Sequence, residues 1–248
     1  MHLKSIRYFA AAAGLTAGVL LAATAKEPLP AGVTEKLIEG DIAYLQKQLE
    51  KSTPEKRAVP TIKATAMLLA VYAQENLAGA KADQMAGLRA GSLKIAEAVA
   101  KKDFAGAKAA AAGLKDAKGG DKKAIDLSKQ AKINVDEMMS AFRKGTVGGR
   151  NIEADLKAQS KTLTDVGLAA EIGGRAAAIA TLSEKLPPAA ATGAKAKQWT
   201  DWCKEMTEHG TALANEAGKG ATADKKKVST LLNKLDKTCV DCHKVFKD

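Results

Sequence analysis

The sequence predicts an all-α protein made of two tandem up-down-up-down four-helix bundles. Three observations predict it. Apolar residues make up 46% of the chain, yet aromatics only 4%, so alanine carries much of the apolar count. Alanine is the best helix former and a poor strand former, and its small side chain suits close helix contacts. Apolar residues recur at helical spacing between Pro, Gly and Asp/Lys punctuation. The helical pattern then restarts half-way along the chain, with echoes in a fixed order.

The elements follow in chain order. Residues 1–25 open with Lys4 and Arg7, continue as an apolar run and end in Ala23-Thr24-Ala25. A basic segment, an apolar segment and an A-x-A ending read as a cleaved secretory signal peptide. The competing reading is an uncleaved anchor; the polar Lys26-Glu27 that follows favours cleavage. No later run is long enough to span a bilayer. The mature chain is therefore expected to be exported, periplasmic or otherwise.

Helices are expected from about Thr34 to Lys51, Glu55 to Leu77 (with Pro60 tolerated in the opening turn), and Lys81 to Lys102. A short alanine-rich helix, Phe104 to Ala117, precedes the breaker "KGGD", and another helix is expected from Lys122 to Lys144. "GTVGGR", Gly145 to Arg150, is the most glycine-dense break and the expected domain boundary. The division is 1–25 leader, 26–145 first repeat and 146–248 second repeat. "DIAYLQKQL" at Asp41 is echoed by "NIEADLKAQ" at Asn151, and "AVYAQENL" at Ala70 by "AIATLSEKL" at Ala178. "GAKADQ" at Gly79 is echoed by "GAKAKQ" at Gly193, and "DKKAIDLSK" at Asp121 by "DKKKVSTLL" at Asp224. Four ordered echoes at an offset of about 105–110 residues imply an internal duplication. Short connections make neighbouring helices antiparallel, so each copy is expected to close as a bundle.

Charge narrows the function classes. The chain carries formal charge +11, of which Lys4 and Arg7 supply two, leaving +9 after the leader. The lysines are dispersed, no nucleic-acid motif is present, and export removes the usual target, so a nucleic-acid partner is not expected. A solvated lysine-rich helical surface is the plain reading, and acidic partner proteins are the specific one. No catalytic dyad, metal cluster or phosphate loop is visible, so no enzyme is expected.

The chemistry concentrates in "LDKTCVDCHKVFKD", Leu235 to Asp248, which holds two of three cysteines and one of three histidines. Cys239-Val240-Asp241-Cys242-His243 is C-x-x-C-H, the attachment signature for c-type haem. Thiols three residues apart on a helix share a face, so both can reach one porphyrin edge. His243, directly after Cys242, is then placed to bind iron. A zinc site would need Cys203 and His209 to complete it, and a thioredoxin-like pair would need a βαβ setting. One covalent haem per chain is expected.

Aligning the two repeats sets "TCVDCHKVFK" at Thr238 against "NVDEMMSAFR" at Asn134. Phe246 falls on Phe142, and Cys242 and His243 fall on Met138 and Met139. The first repeat is thus expected to have the final helix without the attachment groups, and to be haem-free, with Met138 and Met139 as core filler.

With "KQWTDWCKEM" at Lys197 and Phe246 three residues after His243, the second repeat resembles the class II c-type cytochromes, the cytochrome c′ group. The resemblance covers roughly Val147 to Asp248. It implies a four-helix bundle with Cys239 and Cys242 as thioether anchors and His243 as axial ligand. It also implies that Trp199 and Trp202 and the first helix of the repeat, with Arg150, Ile152 and Leu156, lie near the haem. Low-spin members carry a methionine on that first helix. Gly148 to Leu163 has neither methionine nor histidine. Leu156, then Ile152, is the expected distal cover, and Arg150 the expected neighbour of a propionate. His209 shares the stripe of Trp199, Trp202, Met206 and Leu213, but lies roughly 10–15 Å further along at 1.5 Å per residue. His209, Met206 and Cys203 are read as packing residues.

Electron transfer through haem c to redox partners is the expected function. Two alternatives stay open: a five-coordinate haem protein binding nitric oxide or carbon monoxide, and a partner-docking or homodimer-forming role for the first repeat.

Overall fold

In the computed structural model, which describes residues 28–145 and 148–246, the described residues form nine α-helices and no strand. They are α1 (Ala31–Gln48), α2 (Val59–Glu75), α3 (Ala82–Ala100), α4 (Phe104–Ala112), α5 (Val135–Met139), α6 (Ile152–Lys161), α7 (Val166–Ser183), α8 (Ala194–Ala217) and α9 (Lys225–Phe246). The predicted leader lies outside the described residues. No helix among the described residues is long and apolar enough to cross a membrane.

Two helices are apolar on nearly every side and take the centre, as an all-round apolar helix must. Every residue of α2 from Thr61 to Ala73 is buried, and α7 is buried almost as completely. They pack on each other. In the first half, α1 and α3 flank α2, and α4 lies on α1 and α3. In the second half, α6 packs on α7 and α9, and α8 on α7 and α9, which closes a ring of four helices. α1 also packs on α7, so one hydrophobic core runs from Val33 to Leu235 through both halves.

Small residues set the closest approach. A Cβ on Gly173 would lie 2.6 Å from the Gly210 carbonyl oxygen, and one on Gly210 would lie 2.7 Å from that of Gly173. The backbones of α7 and α8 therefore touch where these glycines cross.

The helix expected from Lys122 to Lys144 is not formed. Its place is taken by irregular chain, a 3-10 turn at Leu127–Lys129, the five-residue α5 and a second 3-10 turn at Ser140–Phe142. The reason is tertiary. Buried Arg89 donates to the carbonyls of Asp121 (2.6 Å) and Lys123 (2.8 Å). The Gln74 amide donates to the Ile125 carbonyl (3.0 Å) and accepts from its N–H (2.9 Å). These side chains satisfy the backbone groups that a helix would otherwise pair internally. Asn134 then starts α5 with a capping box to Glu137. Glu137 also pairs with Lys63 of α2 at 2.9 Å. The first half thus has no counterpart of α9, although the sequence echo remains.

The glycine-rich break is tightly packed where it is described. Gly148, at φ 81°, leaves no room for a Cβ against the Ala58 backbone, which would lie 2.6 Å away. Next to it, Asp41 of α1 is fully buried and pairs with two cations of the second half, Arg150 (2.8 Å) and Arg175 of α7. Arg150 stacks over the Tyr44 ring at 4.4 Å, and the Tyr44 hydroxyl donates to the Gly148 carbonyl at 2.8 Å. A charged knot therefore ties α1 to the second half.

Candidate cofactor site

The site grows from the amphipathic pattern of α9. Val228, Leu231, Leu232, Leu235 and Thr238 form its buried stripe. The stripe continues into half-buried Cys239, Cys242 and Phe246. The Asp224 carboxylate caps the start, accepting from the N–H groups of Lys226 (2.9 Å) and Lys227 (3.1 Å). Glu216 of α8 closes the preceding turn, accepting from Lys219 (2.8 Å), Lys227 (2.8 Å) and the Asp224 N–H (3.1 Å). These contacts hold its carboxyl well below its usual value, at about 2.

Two contacts set the register of α9 on α8. Thr238 Oγ1 lies 3.4 Å from His209 Nδ1. Just over two turns further on, the Phe246 ring meets Trp199 at 5.3 Å and Trp202 at 5.7 Å, both edge-on. The helices are antiparallel, and the three aromatics form one cluster at the end of the ring. Trp199 is fixed there by donating its indole N–H to the Ser183 carbonyl at 3.0 Å.

Beneath this cluster lies a cleft of about 270 Å³. That is close to the lower end of the range of small-molecule and cofactor sites, roughly 300–1,000 Å³. α9 lines it with Cys239, Val240, Cys242, His243 and Phe246, and α8 with Trp199, Trp202, Cys203 and Met206. α6 adds Glu153, Leu156 and Lys157. Pro188, between α7 and α8, also lines it, and the first half adds Val135, Asp136, Met139, Phe142 and Arg143.

All three cysteines are free thiols. Burial pushes Cys239 up to about 12, with Asp236 and Cys242 adding to it, and pushes Cys242 up to about 11. Burial likewise raises Cys203 to about 12, with a contribution from Cys242. The thiols are therefore protonated at neutral pH. Asp241, inside the same motif, points the other way: hydrogen bonds from Lys237 and Lys244 hold it at about 2. The helix thus sorts the five residues of the motif, with thiols toward the cleft and the carboxylate toward solvent.

Of the residues singled out from the sequence, Cys239, Cys242, His243, Trp199, Trp202, Leu156 and Phe246 line this one cleft. Ile152 and Arg150 do not. Ile152 is 2% exposed in the core. Arg150 has its guanidinium committed to Asp41. Met206 lines the cleft despite its distance along the helix, whereas His209 turns to Thr238. Met138 is fully buried in the core, but Met139 beside it faces the cleft. No group of three or more His, Cys, Asp or Glu among the described residues is arranged to hold a metal ion.

Val135, Met139, Phe142 and Arg143 were not anticipated as neighbours of the motif. The repeat alignment did set Met139 against His243 and Phe142 against Phe246. It read them as equivalents in separate bundles, whereas the fold places them at the same cleft.

No protein family, curated protein or solved structure matches this chain.

Proposed function

We propose that the chain is an exported monohaem c-type cytochrome of the class II kind, transferring electrons between partner proteins. One observation carries the reading: Cys239, Cys242 and His243 share one wall of an aromatic cleft built from Trp199, Trp202 and Phe246. The donor set and the lining fit haem c. Cys239 and Cys242 would hold the group through two thioether bonds, one to each vinyl group, and the His243 imidazole would ligate its iron. The bound group supplies one-electron cycling between Fe(II) and Fe(III). The protein's part is to hold it at α9, to surround it with Leu156 and the two indoles, and to keep water from most of it. In this reading α6–α9 are the haem-binding bundle, residues 26–145 are the haem-free repeat, and the basic surface steers acidic redox partners. No catalytic turnover is assigned.

A pyridine haemochrome spectrum with an intact-mass measurement tests this. One covalent haem per chain is the expected result; a chain mass without it overturns the proposal.

A second reading rests on α6, which offers Leu156 to the cleft and carries no methionine or histidine. It is a five-coordinate haem protein that binds nitric oxide or carbon monoxide. Carbon monoxide added to the reduced protein decides: an unchanged low-spin spectrum removes this reading.

A further inference from the structure

We propose that the first half of the chain completes the cofactor site, and that the Met139 thioether is the iron's second axial ligand. The inference rests on the haem reading above and goes beyond it, because it assigns the open position to a residue outside the haem-bearing repeat.

Three observations carry it. First, α5 and the turn after it have two apolar faces. Met138 and Ala141 are fully buried in the core. Val135, Met139 and Phe142 line the cleft, and Met139 and Phe142 also touch the edge of the core. The core covers one side of the segment, and a flat apolar group anchored at Cys239 and Cys242 would cover the cleft side.

Second, the segment is held in place. The α5 capping box fixes its start, the pair between Lys63 and Glu137 ties it to α2 at 2.9 Å, and the Thr61 hydroxyl donates to the Ser140 carbonyl at 3.3 Å. A segment tied down in this way has little freedom to move, which favours it as a ligand-bearing wall.

Third, the donors are few. α6 supplies no sulfur or imidazole. Cleft-lining Cys203 and Met206 sit on α8, directly beside the helix that bears His243. Met139 is the thioether on the wall that belongs to neither α8 nor α9. Methionine paired with histidine is an established axial set for electron-transferring haems. Three rotatable bonds let its sulfur adjust to the iron. Exposed Arg143 extends the same wall.

The test uses the full-length, haem-loaded protein and the single variants Met139→Leu and Met206→Leu. Leucine keeps the volume of methionine and the fold, and removes only the sulfur. Mass and haemochrome measurements on all three report attachment, so failure of the haem reading shows there first. With haem attached, wild type is expected to be low-spin and inert to carbon monoxide, Met206→Leu to match it, and Met139→Leu to turn high-spin and bind carbon monoxide when reduced. A Met139→Leu spectrum identical to wild type overturns the proposal. So does a wild type that already binds carbon monoxide, or a loss of the low-spin state in Met206→Leu alone.

Discussion

Replacing Asp41 with asparagine removes one buried negative charge and leaves its shape. Asp41 is 0% exposed, and the side chains it holds, Arg150 and Arg175, are 12% and 7% exposed. Each charge-assisted hydrogen bond is worth about 1.5–3 kcal/mol, so the loss of two amounts to about 3–6 kcal/mol. Part is retained: Arg150 keeps its stack on Tyr44, and Arg175 still has Glu171 at 4.0 Å. The expected loss of stability is therefore about 3–5 kcal/mol, the usual cost of orphaning buried charges. Urea denaturation of wild type and Asp41→Asn, followed by circular dichroism, measures it. A difference below about 1 kcal/mol would refute the reasoning, because it would mean that the guanidinium groups are solvated rather than buried. The triple variant Asp41→Leu/Arg150→Met/Arg175→Met supplies the converse. It removes all three charges together and is expected to recover most of the loss, since a matched apolar set replaces a buried ionic one at little net cost.

Other outcomes follow from single contacts. Glu216 has a folded value near 2 against 4.5 for the free side chain. A depressed carboxyl stabilises the fold fully above the unfolded value and loses that contribution as pH falls toward the folded one. The stability gap between wild type and Glu216→Gln should thus be constant above about pH 5 and close between pH 4 and about 2; a gap that widens with acid would contradict it. Gly210→Ala gains about 1 kcal/mol of helix propensity. It also sets a methyl group 2.7 Å from the Gly173 carbonyl oxygen and 2.9 Å from the Ala177 nitrogen. Thermal unfolding should show a net loss of about 1–3 kcal/mol. Gly32→Ala, in open space within α1, should be neutral or stabilising by up to about 1 kcal/mol. Cys239→Ala and Cys242→Ala should each retain at most one thioether bond; haem that survives acid-acetone extraction from the double variant would be inconsistent with the assigned anchors.

Much was legible in the sequence because it depends on local chemistry. The all-α class follows from alanine content and periodicity, which act within a turn or two of chain. The grouping of Cys239, Cys242 and His243 on one helix face follows from spacing alone. Even the meeting of Phe246 with Trp199 and Trp202 was reachable, because antiparallel neighbours place the end of one helix level with the start of another. The expected helix over Lys122 to Lys144 failed for the opposite reason. Its periodicity was sound, but Arg89 and Gln74, distant in sequence, satisfy its backbone in another conformation. Arg150, expected beside a propionate, is paired with Asp41, a residue 109 positions earlier. Composition and spacing by themselves determined the helical class and the thiol–imidazole motif, since both are written in neighbouring residues. Only the tertiary structure decided which residues face that motif. The fourth wall, with Met139 and Phe142, comes from a segment roughly a hundred residues away, and long-range burial and pairing leave no periodic trace in the chain that they bring together.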